Sequence, residues 1–196
     1  MGTCLAQVIA RNGFTVNLWN YAGDPEPLQQ IRKFGENKRY APGIRLSTNL
    51  KPEADLAKAI QGAKVVFFVV PSSVIRSIMV EIAPYLATSA VCVDVSKGMD
   101  SRSLSLTTDV FRELLPQHKI AAISGPAIAK QMAQGGFTAM NIASQDKSAF
   151  TVVKKVLENK QLKLIPTTDI KGVELCGSFK NVYAIALGMC DGLGYP

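Results

Sequence analysis

The period of the apolar positions changes repeatedly along this chain, and each change marks an element. Residues 65–70, Val-Val-Phe-Phe-Val-Val, form an apolar run with no polar alternation, so both faces of that strand should be covered, as in a parallel sheet. On either side of it helix-like and strand-like segments alternate. The pattern predicts helices over 3–12, 28–37, 53–61, 73–85, 103–115, 128–134 and 147–159. It predicts strands over 14–19, 65–70, 90–95, 120–123, 138–143 and 162–165, with one more short strand, 45–47, inside the Pro- and Gly-containing stretch 40–52. Gly13 and Gly62 stand just past two of the helices, where a residue suited to the left-handed conformation closes a helix. This alternation, without internal repeat or low-complexity tract, predicts a doubly wound α/β domain with a parallel sheet, ending near Thr168.

Beyond Thr168 the chain changes character. Residues 170–189 read as one long helix with an apolar stripe through Val173, Phe179, Val182, Ile185 and Ala186. It is too long and too apolar to stand alone in water. The expected division is therefore 1–168 for the α/β domain and 169–196 for the opening of an all-α second domain.

Composition narrows the class. At 196 residues, 47% hydrophobic and 19% charged, the chain holds enough apolar material for one substantial core, which excludes a disordered chain or a disulfide-stapled miniprotein. The apolar run 65–70 ends at Pro71, far short of the roughly 20 residues a membrane-spanning helix needs. The beginning, Met1-Gly2-Thr3-Cys4, lacks the pattern of a secretory signal, so a cytoplasmic location is expected. Cys4, Cys92, Cys176 and Cys190 form no CxxC pair, and neither a metal cluster nor a disulfide framework is expected. The net charge of +7 would suit nucleic acid or an anionic small molecule. The basic residues are scattered in short pairs such as Arg32-Lys33 and Lys154-Lys155, without interleaved aromatics, which favours the small molecule.

The candidate chemistry collects where strands end, the edge at which ligands of such sheets gather. Gly2 opens the first helix, and a helix start of this kind can hold a pyrophosphate on free amides; an ordinary N-terminal turn would look the same. At the end of the next strand, Trp19-Asn20-Tyr21, there is neither the carboxylate that would hold an NAD ribose nor an Arg that would hold the 2′-phosphate of NADP. Pro71-Ser72-Ser73 reads as a helix cap. Ser96-Lys97-Gly98 delivers a lysine to the ligand edge, either as a surface residue or as a ligand contact. Ser124-Gly125-Pro126 offers backbone amides to an anion, or is a plain strand-to-helix turn. In the last helix Lys180-Asn181 interrupts an apolar stretch of small residues. A lysine in a poorly solvated cleft can serve as a base, whereas at a helix border it would snorkel.

Taken in order, MGTCLAQVIARNGFTVNLW, NKRYAPGI, VVPS, SKG, SGPAIAK and GVELCGSFKNVYAIALGMCDGLG resemble the NAD(P)-dependent glycerol-3-phosphate dehydrogenases of the bacterial type. The resemblance covers essentially the whole chain, and its SGPxxA and GVELxGxxKN elements are its most specific parts. It implies a Rossmann-like fold and a cytosolic enzyme that interconverts dihydroxyacetone phosphate and glycerol 3-phosphate for glycerophospholipid synthesis, with NAD or NADP. By the same resemblance Lys180 would be the general acid/base at the substrate's C2 oxygen. Lys97 would touch cofactor and substrate, and Gly125, Ala127 and Asn181 would belong to the substrate site. Gly2, Tyr21 and Ala129 would face the cofactor. No metal is implied, the partner is a small phosphate-bearing substrate, with neither nucleic acid nor membrane insertion, and a homodimer is one expectation for assembly.

The chain departs from the family pattern at both ends. A GxGxxG fingerprint after a first strand is the family's rule, and Met1-Gly2 match only its last two positions. The sheet is accordingly expected to lack its first strand, with Met1 an internal residue of a longer reading frame or the chain a fragment. It stops at Gly192-Leu193-Gly194-Tyr195-Pro196, before the segment that would supply an Asp and an Arg-Asn pair to the active site. Ala127 stands where Ser or Thr is common. Two alternatives are weighed against this reading. One is a related hydroxy-acid dehydrogenase or ketopantoate-like reductase, in which Lys and Asn are separated rather than adjacent. The other is an inactive fragment that keeps only ligand-binding elements.

Overall fold

In the computed structural model, which describes residues 1–195, strands and helices alternate from α1 (Gly2–Arg11) to α8 (Ile170–Gly192). Between them come β1 (Val16–Trp19), α2 (Glu26–Phe34), β2 (Leu50–Glu53), α3 (Leu56–Ile60), β3 (Val65–Phe68), α4 (Ser72–Ile82) and β4 (Val91–Asp94). The series continues with α5 (Thr107–Leu114), β5 (Lys119–Ser124), α6 (Ala129–Ala133), β6 (Thr138–Ser144), α7 (Lys147–Leu157) and β7 (Leu162–Thr167). Asp55, Asp146 and Asp169 start α3, α7 and α8, each carboxylate accepting a backbone N–H of the first turn.

The apolar β3–β5 segments are covered on both sides. On one side α1 and α7 contribute Leu5, Ile9, Val153 and Leu157 to a core that includes Val91 and Val93. On the other, Ile75, Met79 and Phe111 from α4 and α5 pack with Phe68 and Cys92, and the Phe68 and Phe111 rings meet edge to face at 4.7 Å.

Strands β3, β4 and β5 run parallel, as do β6 and β7, but β5 and β6 are antiparallel, with Ile123 opposite Ile142. The sheet is thus parallel, as the sequence leads one to expect, apart from this one antiparallel pairing. The link between β5 and β6 explains this. Its helix has five residues, about 7.5 Å of rise, too little to carry the chain back along a strand of about 20 Å.

Boundaries also differ: the helix expected over 28–37 lies at Glu26–Phe34, and that expected over 103–115 begins only at Thr107. The expected strand 45–47 is not one: the buried Gln7 side chain donates to Arg45 O at 3.0 Å and accepts from Ser47 N at 2.8 Å, supplying the bonds a partner strand would give. The strand lies instead at Leu50–Glu53, parallel to β1, and the helix expected over 53–61 begins only at Leu56. Pro52 hid it, yet β2 has a partner on one side only, and an edge strand accepts a proline.

The two-stranded sheet β1-β2 is not bonded to the five-stranded sheet β3-β4-β5-β6-β7. Between β1 and β3 lies a groove of about 790 Å³, flanked by Val16–Trp19 and Val65–Phe68 and covered by residues of α1 and α7 on one face and α3 and α4 on the other.

Candidate active site

The carboxyl ends of β4 and β5 meet the first turns of α8. At the end of β4 the buried Asp94 accepts the Ser96 N–H at 2.9 Å, which turns the chain into Ser96-Lys97-Gly98. Gly98 N–H then donates to Ser178 Oγ at 3.0 Å, and that hydroxyl donates to Glu174 O at 2.9 Å. One serine thus ties the Lys97 turn to α8. At the end of β5, Gly177 lies so near that a Cβ on it would sit 2.6 Å from Ser124 Oγ. Gly125 is also confined, by backbone, since a Cβ there would lie 2.9 Å from Met140 Cα. Both positions demand glycine for close approach. Below them Ile170 and Val173 pack on Ala122 and Ala143.

A carboxylate completes the junction. Glu174, buried within α8, accepts from the backbone N–H of Thr108 at 2.9 Å and from its hydroxyl. Burial pushes the Glu174 carboxyl above its ordinary range against these two donors. Burial also lifts Asp94, to about 7, with the neighbouring Glu174 charge adding to it and the Ser96 N–H opposing. Sequence reading assigned neither residue. The one available signal was an acidic residue set in the apolar Gly172-Val173-Glu174-Leu175 stretch.

Lys97 is exposed in its turn, and Gly125, Ala127 and Ala129 are partly buried along the β5–α6 link, where Ala127 N–H donates to Gly125 O at 2.9 Å. Lys97, Gly125 and the start of α8 are thus brought to one edge. Lys180 and Asn181 come just after Ser178 on α8 and are exposed, so the described residues do not form the poorly solvated cleft expected around the lysine. Exposure continues along the helix through Val182, Tyr183 and Ile185.

The dinucleotide candidates lie at the ends of β3 and β1. Gly2 sits beside Val69, where an added Cβ would be 3.6 Å from Val69 Cβ, and α1 starts without a side-chain cap. Tyr21 is exposed in the turn after β1. That turn is not empty of charge, as its sequence suggested. Asn20 Nδ2 donates to Asp24 O at 2.5 Å, and the Asp24 carboxylate accepts from Arg39 at 2.8 Å and from the Tyr40 hydroxyl at 3.0 Å. An acid and an arginine, missed because they lie four and nineteen residues past Asn20, therefore stand together here.

Residues 1–150 match the model of the family described as "NAD-dependent glycerol-3-phosphate dehydrogenase N-terminus", and residues 169–196 match that of its C-terminus. The chain belongs to the NAD-dependent glycerol-3-phosphate dehydrogenase family. Among curated relatives it is 38% identical over 193 residues to the glycerol-3-phosphate dehydrogenase [NAD(P)+] of Ectopseudomonas mendocina, covering 98% of this chain and 56% of that protein. A Geobacter enzyme of the same name is 36% identical over 197 residues, covering 99% and 58%. The crystal structure of the glycerol-3-phosphate dehydrogenase of Coxiella burnetii superposes with a TM-score of 0.91 at 33% identity, covering 98% of this chain and 58% of that one. The chain thus spans little over half the length of these relatives. A ketopantoate reductase from Ralstonia eutropha, with a TM-score of 0.62 at 19% identity over 87% of this chain and 55% of that one, shares the fold alone. Among the described residues no cluster is placed to hold a metal ion, and no helix is long and apolar enough to cross a membrane.

Proposed function

We propose that this chain provides the dinucleotide-binding part, residues 1–168, and the first substrate-domain helix of a glycerol-3-phosphate dehydrogenase. The reaction would interconvert dihydroxyacetone phosphate and sn-glycerol 3-phosphate, in the cytoplasm and in the service of glycerophospholipid synthesis. The observation that carries this reading is the Gly98–Ser178 bond of 3.0 Å, which binds the Lys97 turn to the helix of Lys180 at the sheet's ligand edge.

The residues present fit a dinucleotide. The uncapped start of α1 at Gly2 suits the pyrophosphate, and Asn20, Tyr21 and Asp24 suit the adenosine ribose, with Arg39 beside them for a 2′-phosphate. Ala129, the first residue of α6, would face the cofactor as well. When bound, the cofactor supplies or accepts the hydride at the substrate's C2. The work left to this chain is proton transfer and charge placement. Lys180 would give a proton to the C2 oxygen as the ketone is reduced and take it back in the reverse direction. Lys97 would hold the anionic substrate against the edge, with Gly125 and Ala127 lining it and Asn181 orienting it.

Assay of a chimera in which this chain carries the flanking segments of the Geobacter relative tests the reading. Turnover of dihydroxyacetone phosphate with NADH or NADPH, and none of ketopantoate, is the expected result. Turnover of ketopantoate instead would replace it with the reductase alternative.

A further inference from the structure

Lys97 is exposed, yet the backbone on both sides of it is held by separate elements. Before it, the buried Asp94 at the end of β4 accepts the Ser96 N–H at 2.9 Å. After it, Gly98 is fixed from several directions. Its N–H donates to Ser178 Oγ of α8 at 3.0 Å, and its carbonyl accepts from the Thr107 hydroxyl at the start of α5 at 3.4 Å. An added Cβ would lie 2.7 Å from Ser72 Oγ of α4, and the φ of +114° suits glycine alone. A lysine stem keeps its rotatable bonds, so what a fold can set is where the stem starts and which way it leaves. Here both are set.

Of these holders only Ser178 belongs to α8, two residues before Lys180. Its hydroxyl proton is committed to Glu174 O at 2.9 Å, so its oxygen is left to accept, and what it accepts is the Gly98 N–H. The helix does not depend on this bond for its own seat. Glu174 already anchors α8 to Thr108 of α5, and Ile170 and Val173 pack it on Ala122 and Ala143. What Ser178 adds is the relation between the Lys97 turn and the helix.

We propose that Ser178 is a positioning residue: through Gly98 it sets the start of the Lys97 side chain relative to α8, so that Lys97 meets the anionic end of a substrate whose reacting oxygen Lys180 addresses. This role rests on the functional reading given above and deepens it. Ser178 acts through Lys97 and does not itself touch the substrate. Without the hydroxyl, the Gly98 N–H loses its acceptor and the turn is free to shift while α8 stays seated. Substrate affinity should then fall, whereas the chemical step, which Lys180 carries, should change little.

The test measures KM for dihydroxyacetone phosphate in the chimera and, by calorimetry, Kd for glycerol 3-phosphate with reduced cofactor present, so that nothing turns over. Ser178→Ala should raise both by about tenfold and leave kcat within about threefold. Ser178→Thr keeps the hydroxyl and should stay within about twofold of the unaltered protein. A double-mutant cycle separates positioning from a general structural role. With Lys97→Met already in place, Ser178→Ala should add less than about twofold to either constant, because no ammonium is left to position. The same rise in both backgrounds, a fall in kcat at unchanged KM, no effect of Ser178→Ala, or binding indifferent to Lys97 would overturn the role of Ser178. A chimera that binds glycerol 3-phosphate with the expected dependence on Ser178 and Lys97 but reduces no dihydroxyacetone phosphate would overturn the enzymatic reading and uphold the positioning role. Reduction that is indifferent to Ser178 would do the reverse.

Discussion

Glu174 of α8 caps α5 from outside. Its carboxylate takes the backbone N–H of Thr108, in the first turn of α5, at 2.9 Å and the hydroxyl of the same residue, where the helix's own N-cap residue, Leu106, makes no side-chain hydrogen bond. The negative charge at a helix N-terminus also meets the favourable end of the dipole. Helix α8 is thereby registered on α5 by a contact that a shift of α8 by one residue would break. Glu174→Ala leaves the amide and hydroxyl of Thr108 buried without partners, and a loss of about 1–3 kcal/mol in unfolding free energy is expected by chemical denaturation. Glu174→Gln keeps an acceptor and should lose less.

Stability should fall as pH rises. Asp94 has its pKa raised by burial to about 7, and Glu174 is shifted in the same direction by burial. Unfolded carboxyls titrate near pH 4, so between about pH 4 and 7 the native Asp94 holds a proton that the unfolded state has released. The contribution of Asp94 is complete below about pH 4 and is lost as pH climbs through about 7, and Glu174 contributes in the same direction. Tm measured at about pH 5 should exceed that at about pH 8, and Asp94→Asn, which keeps an acceptor for the Ser96 N–H, should shrink the difference.

Two glycines at the junction should respond unequally. A Cβ at Gly125 meets Met140 Cα at 2.9 Å and Ala139 O at 3.1 Å, backbone that cannot turn aside, so Gly125→Ala should cost about 1–3 kcal/mol. At Gly177 the first obstacle is the Ser124 hydroxyl at 2.6 Å. Gly177→Ala should be milder, and Ser124→Ala should restore part of its loss, a coupling that a double-mutant cycle measures directly.

At the turn after β1, Arg39 is held by Asp24 at 2.8 Å. Arg39→Ala in the chimera should weaken NADPH binding by about tenfold while leaving NADH within about twofold, read from cofactor fluorescence. Equal weakening of both would place Arg39 outside the ribose site.

Much of this structure was legible along the chain. The unbroken run ending at Val70 and the helix-ending glycines announced the layer order, because burial on two faces and chain reversal leave local marks, whereas Pro71-Ser72-Ser73 opens α4 without the side-chain cap expected of it. Pro52 and the 45–47 segment misled, since an edge position and the bonds from Gln7 are set by elements far off in sequence. The antiparallel turn into β6 was hidden for a related reason: strand direction depends on how far a connecting helix reaches, and periodicity does not record it. Lys97, Gly125 and Lys180 are candidates from sequence alone, because they stand at strand ends or in an apolar helix. Asp24, Arg39, Asp94 and Glu174 are not, because each acquires its meaning only from a partner that folding brings to it.

The role of Lys180 is the centre of the functional proposal, and one variant tests it. In the chimera with the flanking Geobacter segments, Lys180→Met should lower kcat for dihydroxyacetone phosphate reduction by about 10²–10⁴-fold with cofactor affinity unchanged. A near-normal kcat would contradict the assignment of Lys180 as the acid and base of the reaction.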